Sequence, residues 1–547
     1  MKTERVAAGV VFVFVFLLHV FLLPQQGLTD DDDFYAPAGI RYAGWVGDVL
    51  TQPTTALSQS AIDAAFTLNH EHPPFAKLVF GLTHAVLHRG LGVLGSLDGA
   101  RAGNALFAAV LAATLILWLW RRAGVVVAGG SVLVLLSLPR FFFHSEVATL
   151  DVPVSTMIVV TTALFSWSLE RDSGGRGWRR GVVVAIAFGL ACLTKLNAPF
   201  LVLPCLVLVL CERWRDFDVV NEGMPLLRFP RVPPAIWAMA LLAPVVFVVL
   251  WPWLWHDTLS RLGGYLAFHL KHYPIFLFYE GEIWNKPFAP ASAVLTMAVI
   301  TVPVVVVVLG VLGGISATVS LVRIVKTGGG SLKDRVLALA LLQAVFSVGV
   351  VAVSNVPRYG GEKLFMPFFP FWCVLAGQGV VVVVDAVVAL CGSRFRSLAV
   401  VAVVGAAVLP GFIGTARFFG GYALSYYGEL GGGLRGAVSR GHERTYYDVA
   451  DKELARWLDR NARGRRVNFQ PNHKEYVRTY RWLRTDGVIS RDGFKLVSAI
   501  DTADVVVLTH ERRWSTYPAL REQLRGWRVL HEKRIDGVPL YSVLERP

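Results

Sequence analysis

Charge is scarce in this chain: 17% of its 547 residues are Asp, Glu, Lys or Arg, against 54% hydrophobic. Apolar runs long enough to cross roughly 30 Å of hydrocarbon recur along most of the sequence, which excludes an ordinary soluble globule and predicts a polytopic helical membrane protein. Cysteine is also scarce. Cys192, Cys205, Cys211, Cys373 and Cys391 lie in or beside apolar segments with no paired loop spacing, which excludes a disulfide framework or a zinc knuckle and leaves packing. Internal repeats are absent. The apolar run 6–23 follows Lys2 and Arg5 as in a signal peptide, but Pro24-Gln25-Gln26-Gly27 offers no small-x-small cleavage site, so we expect it to remain as the first helix. The net charge of +14 falls mainly in short loops between apolar runs. It therefore marks topology, and no nucleic-acid partner is expected.

Apolar stretches able to span occupy 6–23, 75–95, 102–120, 124–139, 152–169, 181–194, 198–210, 235–253, 291–312, 336–353, 365–390 and 398–413. The basic segments at 121–122, 171–180, 213–231, 323–335 and 394–396 should lie inside with the N-terminus. All of them do so if 75–95, which carries His84, His88 and Arg89, is an interfacial helix and not a crossing. About eleven transmembrane helices remain. This arrangement gathers on the outer side the loop 24–101, the patch 140–151, Lys195, the loops 254–290 and 354–363, and everything after residue 414. From about residue 440 the composition is that of a small soluble α/β domain, 440–547. It should have helices at 451–461 and 519–524, strands at 466–469 and 504–508, and a hairpin, 528–535 with 538–544, turning at Asp536-Gly537. No phosphate-cradling glycine loop, paired carboxylates or metal-ligand cluster stands in it, so an accessory role is expected.

The unusual polar residues share the outer side. Asp30, Asp31, Asp32 and Asp33 precede Phe34 and Tyr35. Crowded carboxylates repel, which raises at least one pKa and suits a general base, although a solvated loop or a helix N-cap reads equally from the residues. Further on, Asn69-His70-Glu71-His72-Pro73-Pro74 enters the next apolar stretch. The prolines hold Glu71 and His72 on a rigid turn for substrate positioning, and the His-Glu-His triplet leaves a metal open without naming one. His144, Glu146 and Asp151 mark the outer end of one helix and the start of the next. Lys195, interrupting two apolar runs, needs an anionic partner. Arg358, Glu362 and Lys363 flank the pair Gly360-Gly361, where a ligand can approach the backbone. With Lys195, the cations Arg358 and Lys363 read as a phosphate site. His269 and His272, at i and i+3, could touch a ligand from one helix face, beside a tryptophan-rich stretch that fits an aromatic belt.

Together these motifs resemble the membrane-embedded glycosyltransferases of the GT-C class, specifically bacterial relatives of the protein O-mannosyltransferases (glycosyltransferase family 39) and of lipid A aminoarabinose transferase. The resemblance covers about residues 1–420. It rests on the acidic run with Tyr35, His72-Pro73-Pro74-Phe75, Asp151 opening a helix, Thr194-Lys195, and the segment 358–370 leading into a late helix. It implies a GT-C-like fold in a bacterial inner membrane, with the C-terminal domain extracytoplasmic. The implied reaction moves a sugar, with inversion, from a polyprenyl-phosphate donor to a lipid, glycan or protein acceptor on the outer face. With Tyr35 as register mark, the family's catalytic acid aligns on Asp31 and its second acidic position on Asp32, with Asp30 also open. Tyr35, Glu71, His72, Asp151, His269, His272 and Glu362 would position substrate, and Lys195, Arg358 and Lys363 would hold the lipid phosphate. No cofactor is required by this reading, and a divalent cation stays open beside it. The competing class is a transporter or a scaffold with an outer binding domain. A transporter would carry polar groups near mid-membrane, whereas Gln343 is among few such residues here.

Overall fold

The computed structural model describes residues 2–170, 176–214, 218–222, 224–228, 232–271, 275–353, 356–446 and 449–547, the side chains of 218–228 excepted. His272 and residues 171–175 of the basic segment 171–180 lie outside the described residues. Among the described residues six helices are long and apolar enough to cross a membrane: Lys2–Gln25, Ser96–Leu119, Val304–Thr327, Leu332–Ala352, Phe368–Cys391 and Ser393–Arg417. The other five of the eleven expected crossings fall on shorter or more polar helices, Val125–Ser137, Asp151–Ser168, Gly177–Cys192, Val202–Arg213 and Pro234–Val249. A multi-pass membrane protein follows from the six alone.

Two expectations change in detail. The stretch 291–312 forms two helices, Ser292–Ile300 and Val304–Thr327, because Pro303 cannot donate to the first and the Gly428 N–H donates to the Ile300 carbonyl at 2.7 Å. The second helix then runs through Arg323, into what the sequence reading takes for a loop. The loop 24–101, expected on the outer side, is also largely helical, with Asp30–Thr51, Gln59–Phe66 and Phe75–His84. The last has 10 residues, about 15 Å of helix and too short to cross. It packs against Asp30–Thr51 backbone to backbone: a Cβ on Gly81 would stand 1.9 Å from the Gly39 carbonyl oxygen, so only glycine permits the approach.

The C-terminal domain carries a five-stranded sheet in the order Arg528–Ile535, Val538–Glu545, Val505–Thr509, Arg466–Gln470, Lys495–Leu496. The first two pairings are antiparallel and the last two are parallel. Helices Lys452–Asn461 and Tyr517–Gln523 lie near their expected positions. Helix His473–Thr485 was not expected; its buried Tyr476, Tyr480 and Leu483 recur at i, i+4 and i+7 among charged residues, which is the amphipathic signal a polar composition hides. One connection bears directly on function. Leu28–Thr29, just before the acidic run, pairs antiparallel with Val449–Ala450 of this domain.

Candidate active site

The acidic run is the first turn of helix Asp30–Thr51. Negative side chains favour a helix N-terminus, and at about 3.6 residues per turn four consecutive side chains point in four directions. Each aspartate accordingly meets a different environment. Asp32 is fully buried. Its carboxylate accepts the Thr29 N–H at 2.9 Å, closing a capping box, the Arg101 fork at 3.0 and 2.6 Å, and the Ala148 N–H at 2.8 Å. With every lone pair engaged, Asp32 anchors the helix start. Asp30 turns back to accept the Asp31 N–H at 3.1 Å.

Asp33 faces helix His473–Thr485, beside Arg478 and Trp482. Burial, then Asp32, push its carboxyl up to about 7, against the lowering effect of Arg478. The sequence expectation of one raised carboxyl therefore falls on Asp33. A carboxyl raised in the fold stabilises it fully below its unfolded pKa and loses that contribution as pH rises through about 7. Asp33→Asn should leave the melting temperature unchanged at pH 4 and raise it at pH 8; a variant curve parallel to wild type across that range would refute the assignment.

Asp31 points at a cation in a cavity. Its carboxylate oxygens lie 2.7 and 2.9 Å from Lys363 Nζ. The cavity measures about 290 Å³, and Asp30, Asp31, Tyr35, Glu71, His72, Lys195 and Lys363 all line it. Seven of the residues singled out by sequence, spread over more than 330 positions, thus converge. Burial would lower the Lys363 ammonium, but Asp31, Asp151 and Asp30 hold it above the usual lysine range. Lys195 is fixed by Asp151, whose Oδ1 lies 2.5 Å from its Nζ. Asp151 is buried at the start of helix Asp151–Ser168 and acts on the cavity through that lysine.

The 69–74 turn is held from below by Lys77, which sequence reasoning left without a role. Its Nζ donates to the Asn69 carbonyl at 2.6 Å, the Asn69 side chain at 2.9 Å, the His72 carbonyl at 2.8 Å and the Tyr42 hydroxyl at 3.2 Å. Burial lowers its pKa well below that of a free lysine. His72 meets Tyr35 and His269 edge-on, with ring centroids 5.6 and 5.5 Å apart, and His269 Nε2 lies 3.0 Å from the Glu71 carbonyl oxygen. Burial, then Lys77, His269, Lys195 and Lys363, lower the His72 pKa well below the usual range. At neutral pH His72 is therefore an uncharged hydrogen-bonding group.

Five expected site residues do not line this cavity: Asp32, Asp151 and His269, described above, and Arg358 and Glu362. Arg358 donates to the carbonyls of Val351 at 3.1 Å, Ala352 at 2.8 Å, Val353 at 2.7 Å and also Ala289, capping the C-terminal end of helix Leu332–Ala352. Its neighbours Tyr359 and Gly360 reach the cavity; its guanidinium does not. Arg358→Ala should therefore lower the melting temperature and leave donor affinity unchanged, and a weakened donor affinity in a normally folded variant would restore the phosphate role. Glu362 is buried against Arg140, 2.7 Å from its Nη1, and braces the loop that presents Lys363. In its place the structure supplies a cation from the C-terminal domain: Arg513 lines the cavity with Tyr446. Glu511 Oε2 accepts from Arg513 at 3.0 and 2.7 Å. Only its net positive charge among loop residues could have hinted at this, because no local motif surrounds it.

Among the described residues no group of three or more His, Cys, Asp or Glu side chains is placed to hold a metal. Asp31 and Asp151 each carry a lysine instead.

Among solved structures, apo ArnT from Cupriavidus metallidurans aligns at 17% identity over 98% of this chain and 97% of its own, with a TM-score of 0.48. The same protein bound to undecaprenyl phosphate gives 17% identity, the same coverage and a TM-score of 0.47. The archaeal oligosaccharyltransferase AglB from Archaeoglobus fulgidus, in complex with an inhibitory peptide and a dolichol-phosphate, aligns at 11% identity over 99% of this chain and 74% of its own, with a TM-score of 0.48. No curated protein matches the sequence. The family model that does match is that of the dolichyl-phosphate-mannose-protein mannosyltransferases, over residues 96–272, a segment holding Arg101, Asp151, Lys195 and His269 and similar to the glycosyltransferase class that the motifs resemble.

Proposed function

We propose that this chain is a glycosyltransferase that moves a sugar from a polyprenyl-phosphate donor to a lipid, glycan or protein acceptor at the outer face of the membrane. The observation that carries the reading is the Asp31–Lys363 pair, 2.7 Å apart, in a cavity that also presents Lys195 and Arg513. A lipid phosphate entering there draws the lysines toward its oxygens, and Asp31, released from Lys363, becomes the acceptor for a proton. The acceptor hydroxyl then attacks the sugar's anomeric carbon and gives its proton to Asp31. The bond from that carbon to the phosphate oxygen breaks, and its electrons stay on the phosphate, stabilised by the cations. Tyr35, His72 and Phe268 form the wall against which the sugar is oriented, with His269 packed edge-on against His72.

Lys363→Met tests the phosphate role. Losing one charge-assisted contact costs about 1.5–3 kcal/mol, so the donor Kd should rise roughly 10- to 150-fold in detergent-purified protein. An unchanged Kd would remove Lys363 from the site. Membranes containing the protein should release or transfer label from a polyprenyl-phosphate sugar, and a carrier would not. The side of the membrane is tested separately. Ser439 is exposed on the C-terminal side of the last span and Cys391 is exposed at the opposite end. An impermeant thiol reagent should label Ser439→Cys in intact cells and reach Cys391 only after permeabilisation; the reverse pattern would place the cavity inside.

A further inference from the structure

A second cavity, of about 370 Å³, lies where the start of helix Ser96–Leu119 meets the C-terminal domain. Its apolar walls include Leu28, Leu97 and Trp482, and its polar wall is formed by Asp98, Lys452 and Arg456. None of these lines the Asp31 cavity. Asp98 is 8% exposed, and its Oδ1 is buried without a hydrogen bond, as is Arg101 Nη1. The two atoms are 3.6 Å apart, and Lys452 Nζ stands 3.9 Å from the same oxygen. The enclosed Oδ1 of Asp98 thus pairs with Arg101 and Lys452, and Lys452 also donates to the Pro24 carbonyl at 3.0 Å, which fixes Asp98 and Lys452 on the cavity wall, where an acceptor and a donor side by side match a hydroxyl. Asp486, at the cavity edge, is already engaged, accepting the Ser96 and Leu97 N–H groups at 3.0 and 3.1 Å, and so fixes the wall's position.

The charge balance narrows the ligand. Lys452 and Arg456 offset Asp98 and Asp486, so a phosphate would meet two carboxylates and an ammonium would meet two cations. A neutral ring with hydroxyls on its edge and C–H groups on its face matches both walls, because an indole accepts the face and the polar wall accepts the edge. We propose that this cavity is a saccharide-binding subsite, separate from the Asp31 cavity and formed jointly by the membrane helices and the C-terminal domain. The proposal does not depend on the transfer reaction. A free sugar and a sugar within a longer glycan present the same ring, and the probes separate them.

The test is saturation-transfer-difference NMR on full-length protein in detergent. One arm uses methyl α-D-mannopyranoside and methyl β-D-glucopyranoside, and the other uses mannotriose. Saturable binding is expected, weakened at least about tenfold by Trp482→Leu and by Arg456→Ala and unchanged by Lys363→Met. Tighter binding of the trisaccharide identifies a glycan as the source, and equal binding a single ring; either supports the subsite. Arg456 is exposed, so its variant decides the matter if Trp482→Leu fails to fold. Absence of saturable binding with all three probes, binding untouched by Arg456→Ala, or binding lost in Lys363→Met would overturn the proposal.

Discussion

Asp31→Asn is expected to lower transfer from a polyprenyl-phosphate sugar by roughly 10²–10⁴-fold, the cost of a lost general base, with melting temperature and donor binding retained. The amide keeps the shape of the side chain and a contact to Lys363 but cannot take the acceptor's proton. The neighbouring aspartates serve as built-in controls because the helix gives each a different set of partners. Asp30→Asn should have a small effect, since its carboxylate is turned back on the Asp31 N–H. Asp33→Asn should alter the pH dependence of stability and spare turnover, because Asp33 faces helix His473–Thr485 and not the cavity. Full activity of Asp31→Asn, with activity abolished in Asp30→Asn or Asp33→Asn, would show that the base is elsewhere in the run.

Arg101→Met should be the most destabilising single change. It leaves the Asp32 carboxylate at 0% exposure with its cation removed, and breaking a buried pair from one side costs about 3–5 kcal/mol. The Gly27 carbonyl, which Arg101 Nη2 reaches at 2.6 Å, loses a donor as well. Unfolding in mixed micelles should show the loss, and Arg101→Met combined with Asp32→Leu should regain part of it because no unpaired charge then remains. Equal stability of the single variant and wild type would mean that the pair does not hold the acidic helix. This experiment also separates two ways of losing activity: Asp31→Asn stops the chemistry in a stable protein, whereas Asp32 variants act through the fold.

What the sequence disclosed, and what it withheld, follows from the range over which each signal acts. Apolar runs, the Asp536-Gly537 turn and the alternating strands of the C-terminal domain are local patterns, and the hairpin Arg528–Ile535 with Val538–Glu545 lies within a residue of its expected bounds. The convergence of Asp31, His72, Lys195 and Lys363 was legible through the resemblance and through their common side of the membrane. Rotational phase was not. Only the helix that places Asp31, Asp32 and Asp33 on different sides distinguishes a residue facing the cavity from an anchor and from a domain contact. Arg358 misled because a cation beside a glycine pair reads identically whether it meets a phosphate or four backbone carbonyls. Arg513 was invisible because its place in the cavity depends on how a separate domain is seated.

That seating has a consequence for how the protein comes into being. A chain is made from its N-terminus, so the acidic helix leaves the ribosome before the domain bearing Arg513. The ladder from Leu28–Thr29 to Val449–Ala450 cannot close, and the cavity cannot receive Arg513 and Tyr446, until synthesis has passed residue 513. A nascent or prematurely terminated chain that ends between residues 363 and 513 therefore carries Asp31 and Lys363 without the wall that Arg513 supplies.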